Sequence, residues 1–136
     1  MEIQPLRYQN LNVLVVEDDE SSYMLIEEFL SEYKLNLIRA TNAAETLVLV
    51  NSSLQFSLAI LDFKLPCKTD GIQLAYSIRA KRPTLGLIIQ SAAYLTPSQK
   101  ESIRRLSCDF IPKPLELSDF FKLVFKHIEH SLNITI

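Results

Sequence analysis

The chain has 136 residues, 48% of them hydrophobic and 22% charged, which suits one domain around one sizeable core and a globular rather than a disordered chain. A formal net charge of −2 lends no support to a nucleic-acid partner. No apolar stretch is long enough to span a membrane, and Met1-Glu2-Ile3-Gln4-Pro5 has no signal-peptide pattern.

Five short apolar runs alternate with five helical patterns. The first run, Val13-Leu14-Val15-Val16, marks a strand at about 12–16 and ends in Glu17-Asp18-Asp19. A helix follows from about Glu20 to Tyr33, with Leu25, Ile26, Phe29, Leu30 and Tyr33 on one face. The second strand falls at about 36–40, and the helix after it starts at Asn42, which has capping-box spacing to Glu45. The third strand, about 57–61, runs straight into Asp62. The third helix follows Gly71, turns Ile72, Ala75 and Ile78 inward, and must stop before Pro83. Ser91 follows the fourth strand, about 86–90. The fourth helix has Thr96 as cap, Pro97 at its first position and Gln99 closing the box. Phe110 lies in the fifth strand, about 108–111, and Lys113 lies just beyond it between Pro112 and Pro114. The last helix covers about Leu117 to Ser131, with Leu117, Phe120, Val124 and Ile128 inward.

This alternation predicts an α/β fold with helices on both faces of a parallel sheet. In such sheets ligands bind outside the carboxyl ends of the strands. Adjacent central strands would then bring Glu17, Asp18 and Asp62 into one pocket. At about 5 Å and an effective dielectric near 20, each carboxylate pair repels by roughly 3 kcal/mol. Such crowding suits Mg²⁺, which is held by carboxylates, waters and phosphate. Lys113, Lys64 and Ser91 end on the same edge and supply cations and a hydroxyl. Together these are the parts needed to accept a phosphoryl group on an aspartate.

Across about residues 11–130 the sequence resembles the receiver domains of two-component response regulators, chemotaxis regulators included. The match is carried by Val13-Leu14-Val15-Val16-Glu17-Asp18-Asp19, Leu61-Asp62-Phe63-Lys64-Leu65-Pro66, Asp70-Gly71, Ser91-Ala92 and Lys113-Pro114. The resemblance implies a flavodoxin-like (βα)5 sandwich with strand order 2-1-3-4-5. It implies that Asp62 is the phosphoacceptor, and that Glu17, Asp18, Asp62 and the Lys64 backbone carbonyl hold Mg²⁺. Asp19 matches the next acidic position. Lys113 matches the invariant lysine, with a cis bond to Pro114 in relatives. Ser91 and Phe110 match the switch pair, coupled to a surface formed by helix four, strand five and helix five. Tyr94, Leu95, Phe121 and Phe125 are candidates for that surface. Lys64 stands where the side chain helps set the lifetime of the phosphoryl group, and a cation there is expected to lengthen it. The decay rate of Lys64→Ala would check this.

The implied donor is a phosphohistidine on a histidine kinase or histidine phosphotransfer domain, and the output protein is unnamed by the sequence. Residues 1–10 read as a lead-in and 11–132 as the receiver, with no output domain, either alone or as part of a hybrid histidine kinase. A cytoplasmic location with two reduced thiols, Cys67 and Cys108, is expected. Rival readings fare worse. An aspartyl-phosphate phosphatase needs a second aspartate where Lys64 stands. A phosphate-independent interaction module would be expected to have lost Asp62, the acidic pair or Lys113. His127 and His130 have helical spacing but no third ligand. Arg79, Lys81 and Arg82 read as a solvated helix end. Two glycines cannot make a glycine-rich nucleotide loop.

Overall fold

A computed structural model describes residues 10–134, so residues 1–9 of the expected lead-in lie outside the described residues. The elements are β1 (Asn12–Val16), α1 (Glu20–Phe29), β2 (Asn36–Ala40), α2 (Ala43–Val50), β3 (Leu58–Asp62), α3 (Gly71–Lys81), β4 (Leu87–Ser91), α4 (Pro97–Arg105), β5 (Asp109–Pro112) and α5 (Leu117–Ile134). The five strands form one sheet in the order β2-β1-β3-β4-β5, and every pairing is parallel. This is the flavodoxin-like order that the resemblance implies.

The strand sequences explain the layering. Side chains alternate across a sheet, and here both faces are covered. Leu14, Val16, Ala59, Leu61, Leu87 and Ile89 face one core with α3 residues such as Leu74, Ala75 and Ile78. Val13, Val15, Leu58, Ile60, Ile88 and Ile111 face the other, with Ile26 of α1 and Phe120, Val124 and Ile128 of α5. Near-continuous apolar runs are what a doubly covered parallel strand requires.

Helix starts follow side-chain chemistry. Thr96 and Gln99 close a reciprocal capping box on α4, as expected. Asp70 and Gln73 form a second box on α3, adjoining Gly71. Asn42 caps α2, but Glu45 does not return to it: its carboxylate accepts from Thr41 N–H and Oγ1–H instead. That box stays open because Thr41 offers two donors where Asn42 offers one backbone N–H.

Several local expectations need correction. Helix α1 ends at Phe29, and Tyr33 lies beyond it, edge-on to Phe121 and tilted against Phe125 of α5. Those two phenylalanines therefore belong to the α1 side of the sheet, Phe125 as a buried residue, and not to the surface formed by α4, β5 and α5. Leu95 is buried as well, which leaves Tyr94 as the fully exposed aromatic after β4. Leu117 is exposed rather than inward, since it opens α5 at the sheet's rim. Of the three residues read as a solvated helix end, Lys81 is exposed, but Arg79 and Arg82 are half-buried and bonded to loop carbonyls. Arg79 donates to the carbonyls of Leu106, Arg82, Pro83 and Leu85, and Arg82 to those of Val50 and Ser52. Both cysteines are free, and burial pushes the Cys108 thiol up to about 11, which keeps it inert.

Candidate functional site

Strand register builds the site. Val16 pairs with Leu61 in the β1–β3 ladder, so the residues that follow, Glu17 and Asp62, leave neighbouring strands at the same height. Asp62 is itself the last residue of β3, one position later than the sequence pattern places the strand end, and Ser91 likewise ends β4. Asp62 stays in the ladder because it pairs in register with Gln90. The chain then turns away sharply. Phe63 N–H donates to the Gln90 carbonyl and Gly71 N–H to the Phe63 carbonyl, which brings the start of α3 back against Asp62. Gly71 permits that approach: a Cβ there would lie 2.7 Å from the Asp62 carbonyl oxygen.

Oxygen atoms of Glu17, Asp18 and Asp62 lie within 4.8 Å of one another. Glu17 is fully buried, Asp62 nearly so, and Asp18 is exposed. Lys113 bridges two of them, with Nζ 3.0 Å from Glu17 Oε1 and 3.3 Å from Asp62 Oδ1. Its peptide bond to Pro114 is cis, and its N–H donates to the Ser91 carbonyl. Ser91 is buried, and its hydroxyl both donates to the Ala93 carbonyl and accepts from Ala93 N–H. Phe110 is half-buried in β5 against the α2–α4 core. The Lys64 side chain is exposed, and its backbone pairs with Asp70 across the loop. Asp19 turns away from the cluster to cap α1, accepting from Ser22 N–H and Ser21 Oγ–H.

Electrostatics show a site short of positive charge. Burial holds the Glu17 and Asp62 carboxyls above their ordinary range, and the single ammonium of Lys113 only partly opposes this. Burial also works against the charge on Lys113, but its hydrogen bond to Glu17 and the Asp62 charge outweigh it and hold its pKa up. Three hard oxygen donors with one cation between them form the donor set for a divalent ion such as Mg²⁺. Among the described residues this is the one group of three acidic, histidine or cysteine side chains able to hold a metal.

Two site residues escaped the sequence reading. Gln90 ends the apolar run of β4, is buried, and donates from Nε2 to Glu17 Oε1 at 3.2 Å. Its Oε1 is buried without a partner. A lone amide closing Leu87-Ile88-Ile89 is the signal that could have found it. Arg39 in β2 reaches over the β1–α1 turn and donates to the carbonyls of Glu17 and Asp18. One arginine in a half-apolar strand is weak evidence of that.

Comparisons with known proteins bear on the family and the fold. The family model described as the response regulator receiver domain matches residues 13–125. The sensor protein TorS of Escherichia coli (strain K12) is 28% identical over 130 residues, which are 96% of this chain and 14% of TorS. The transcriptional regulatory protein ZraR of the same strain is 24% identical over 129 residues, 95% of this chain and 29% of ZraR. The chain thus spans less than a third of either relative. A CheY-like receiver domain protein from Methanospirillum hungatei JF-1 superposes with a TM-score of 0.81 at 21% identity, over 92% of this chain and 98% of that one.

Proposed function

We propose, since the chain belongs to the response regulator receiver domain family, that Asp62 accepts a phosphoryl group from a phosphohistidine of a histidine kinase or phosphotransfer domain. The family is one of phosphoacceptors, so turnover of an external substrate is no part of this reading. One observation carries it: Glu17, Asp18 and Asp62 converge at the end of β1 and β3 while Lys113 bonds two of them. A fold that needed only stability would not converge three carboxylates on one ammonium.

An oxygen of Asp62 attacks phosphorus in line, an O–P bond forms, and the P–N bond breaks with its electron pair leaving on the imidazole. Lys113 stands ready to pair with the transferring oxygens, and Ser91 to donate its hydroxyl proton to one of them once it leaves Ala93. Glu17, Asp18, Asp62 and the Lys64 carbonyl would hold Mg²⁺, which supplies neutralisation of the phosphoryl charge. Movement of Ser91 draws the loop after β4, lets Phe110 turn inward and shifts the surface of α4, β5 and α5 between existing states. Residues 11–132 act as the receiver unit in the cytoplasm, whether alone or within a longer chain such as a hybrid kinase.

Intact mass after incubation with Mg²⁺ and a small phosphoryl donor tests the reading. One added phosphoryl group is expected, absent in Asp62→Asn and blocked by a chelator. No gain from a small donor or from a panel of phosphohistidine domains, with no affinity for Mg²⁺, would instead mark a phosphate-independent interaction module.

A further inference from the structure

The last backbone bond between β1 and β2 runs from Glu17 N–H to the Ala40 carbonyl at 3.0 Å. Past that rung the strands part, and a side chain takes over from the ladder. Arg39 Nε donates to the Glu17 carbonyl at 3.0 Å and Nη2 to the Asp18 carbonyl at 3.3 Å. Its Nη1 is anchored on Glu20 Oε2 at 2.6 Å, and the guanidinium lies over the Tyr23 ring, 4.7 Å from the centroid. Its side chain is only 22% exposed. The planar fork of arginine meets two carbonyls and a carboxylate at once, which a lysine ammonium on a flexible stem cannot copy.

Glu17 and Asp18 contribute two of the three carboxylates, and they belong to no helix or strand. Their side-chain directions therefore depend on how their peptide planes are held. We infer that Arg39 is a positioning residue for the acidic cluster, holding the Glu17 and Asp18 carbonyls outward so that both carboxylates converge on Asp62 as cation ligands. This rests on the cation-assisted phosphoacceptor reading and goes beyond it, since Arg39 itself touches neither cation nor phosphoryl group.

The sign of the effect separates positioning from charge. A guanidinium held on the Glu17 and Asp18 carbonyls adds positive charge near the cluster and repels an incoming dication, so by charge alone its removal would tighten cation binding. Positioning predicts the opposite. Groups that orient ligands from behind change metal affinity by about 10- to 100-fold when lost.

Mn²⁺ titration, read by the electron paramagnetic resonance signal of the free ion, compares wild type with Arg39→Ala, Arg39→Lys and Glu20→Gln. Thermal unfolding without cation runs alongside. Binding is expected to weaken at least about tenfold in both Arg39 variants, and less in Glu20→Gln, which keeps the two carbonyl bonds. Unchanged or tighter binding by Arg39→Ala, or full rescue by Arg39→Lys, would overturn the inference. A lower melting temperature at unchanged Mn²⁺ affinity would do so too, marking a structural contact only. Should Arg39→Ala fail to fold, unchanged affinity in both remaining variants overturns it. Failure of the wild type to bind Mn²⁺ would remove the underlying reading itself, a result distinct from all of these.

Discussion

Asp62 ends β3 at the carboxyl edge of the sheet and Asp109 opens β5 at the amino edge, and their surroundings differ in one respect that matters. Asp109 opens β5 with two donors of its own, Lys126 Nζ at 2.5 Å and His127 Nε2 at 2.6 Å. Burial would raise its carboxyl, but those two hydrogen bonds win and hold it below the ordinary range. Asp62 shares its one ammonium with Glu17, and burial wins, so both carboxyls are held high. The arginines repeat the contrast. Arg79 and Arg82 sit at the edge of Asp109 and close loop carbonyls there. At the edge of Asp62, Arg39 closes carbonyls whose residues carry the acidic cluster. One edge satisfies its charges internally; the other leaves charge for something that arrives.

The chain's two glycines give the largest test of this contrast. At Gly71 an added Cβ would meet the Asp62 carbonyl oxygen at 2.7 Å and Phe63 Cα at 3.0 Å, both backbone. At Gly86 it would meet the His127 ring, 2.5 Å from Nδ1. The Gly86 clash extends to His127 Cβ at 2.9 Å, which no swing of the ring relieves, and a swing would break the Nε2 bond to Asp109; both positions cost stability, but only Gly71 displaces Asp62. Gly71→Ala is expected to destabilise by about 3 kcal/mol and to slow phosphoryl uptake, while Gly86→Ala is expected to lose a similar amount, about 3 kcal/mol, and to leave uptake unchanged. Urea unfolding and initial rates of phosphorylation measure both. Slowed uptake in Gly86→Ala, or unslowed uptake in Gly71→Ala, would break the comparison.

Asp109→Asn comes next, with an expected loss of about 2 kcal/mol for charge-assisted hydrogen bonds that are partly screened. Because the folded pKa of Asp109 is depressed, its contribution is present above the unfolded value near 3.9 and is lost as pH falls through the folded one. His127 does not add a second titration at neutral pH. Burial lowers its pKa against the pull of Asp109, so it donates as a neutral imidazole there. Thermal melts at pH 7 and pH 3 in a His127→Gln background, where the neighbouring ring can no longer take up a proton, should therefore show the Asp109→Asn deficit shrinking in acid. A deficit that grows in acid would refute the pairing.

How much of this could be read without the structure depended on the range of each signal. Strand ends were legible because apolar runs stop abruptly, and Glu17, Asp62, Ser91 and Lys113 each stand at such a stop. The cap of α4 was legible because Thr96, Pro97 and Gln99 are local to one another. Arg39 was not, since its partners lie 19 to 22 positions away and two of them are carbonyls that any residue would supply. The misplacement of Phe121 and Phe125 has the same origin. Helical spacing shows that residues share a face, but only packing against Tyr33 shows which face.

Asp62→Asn is the smallest effect and the sharpest, because its sign is opposite to that of Asp109→Asn. The raised pKa of Asp62 means that the folded state binds more protons than the unfolded chain in the window between the ordinary carboxylate value and the raised one. Stability must then fall as pH rises through that window, and above it the ionised carboxylate is a standing cost. The amide removes the charge while nearly keeping the shape. Without divalent cation, Asp62→Asn is expected to melt about 3 °C higher than wild type at pH 7, the equivalent of roughly 1 kcal/mol, and with a flatter pH dependence. Adding Mg²⁺ should narrow the gap, since a ligand that binds only the folded state stabilises it and the wild type keeps the full set of three carboxylates. A lower melting temperature for Asp62→Asn without cation would mean that Lys113 already compensates Asp62 as fully as Lys126 and His127 compensate Asp109, and the two edges would then differ in geometry but not in charge.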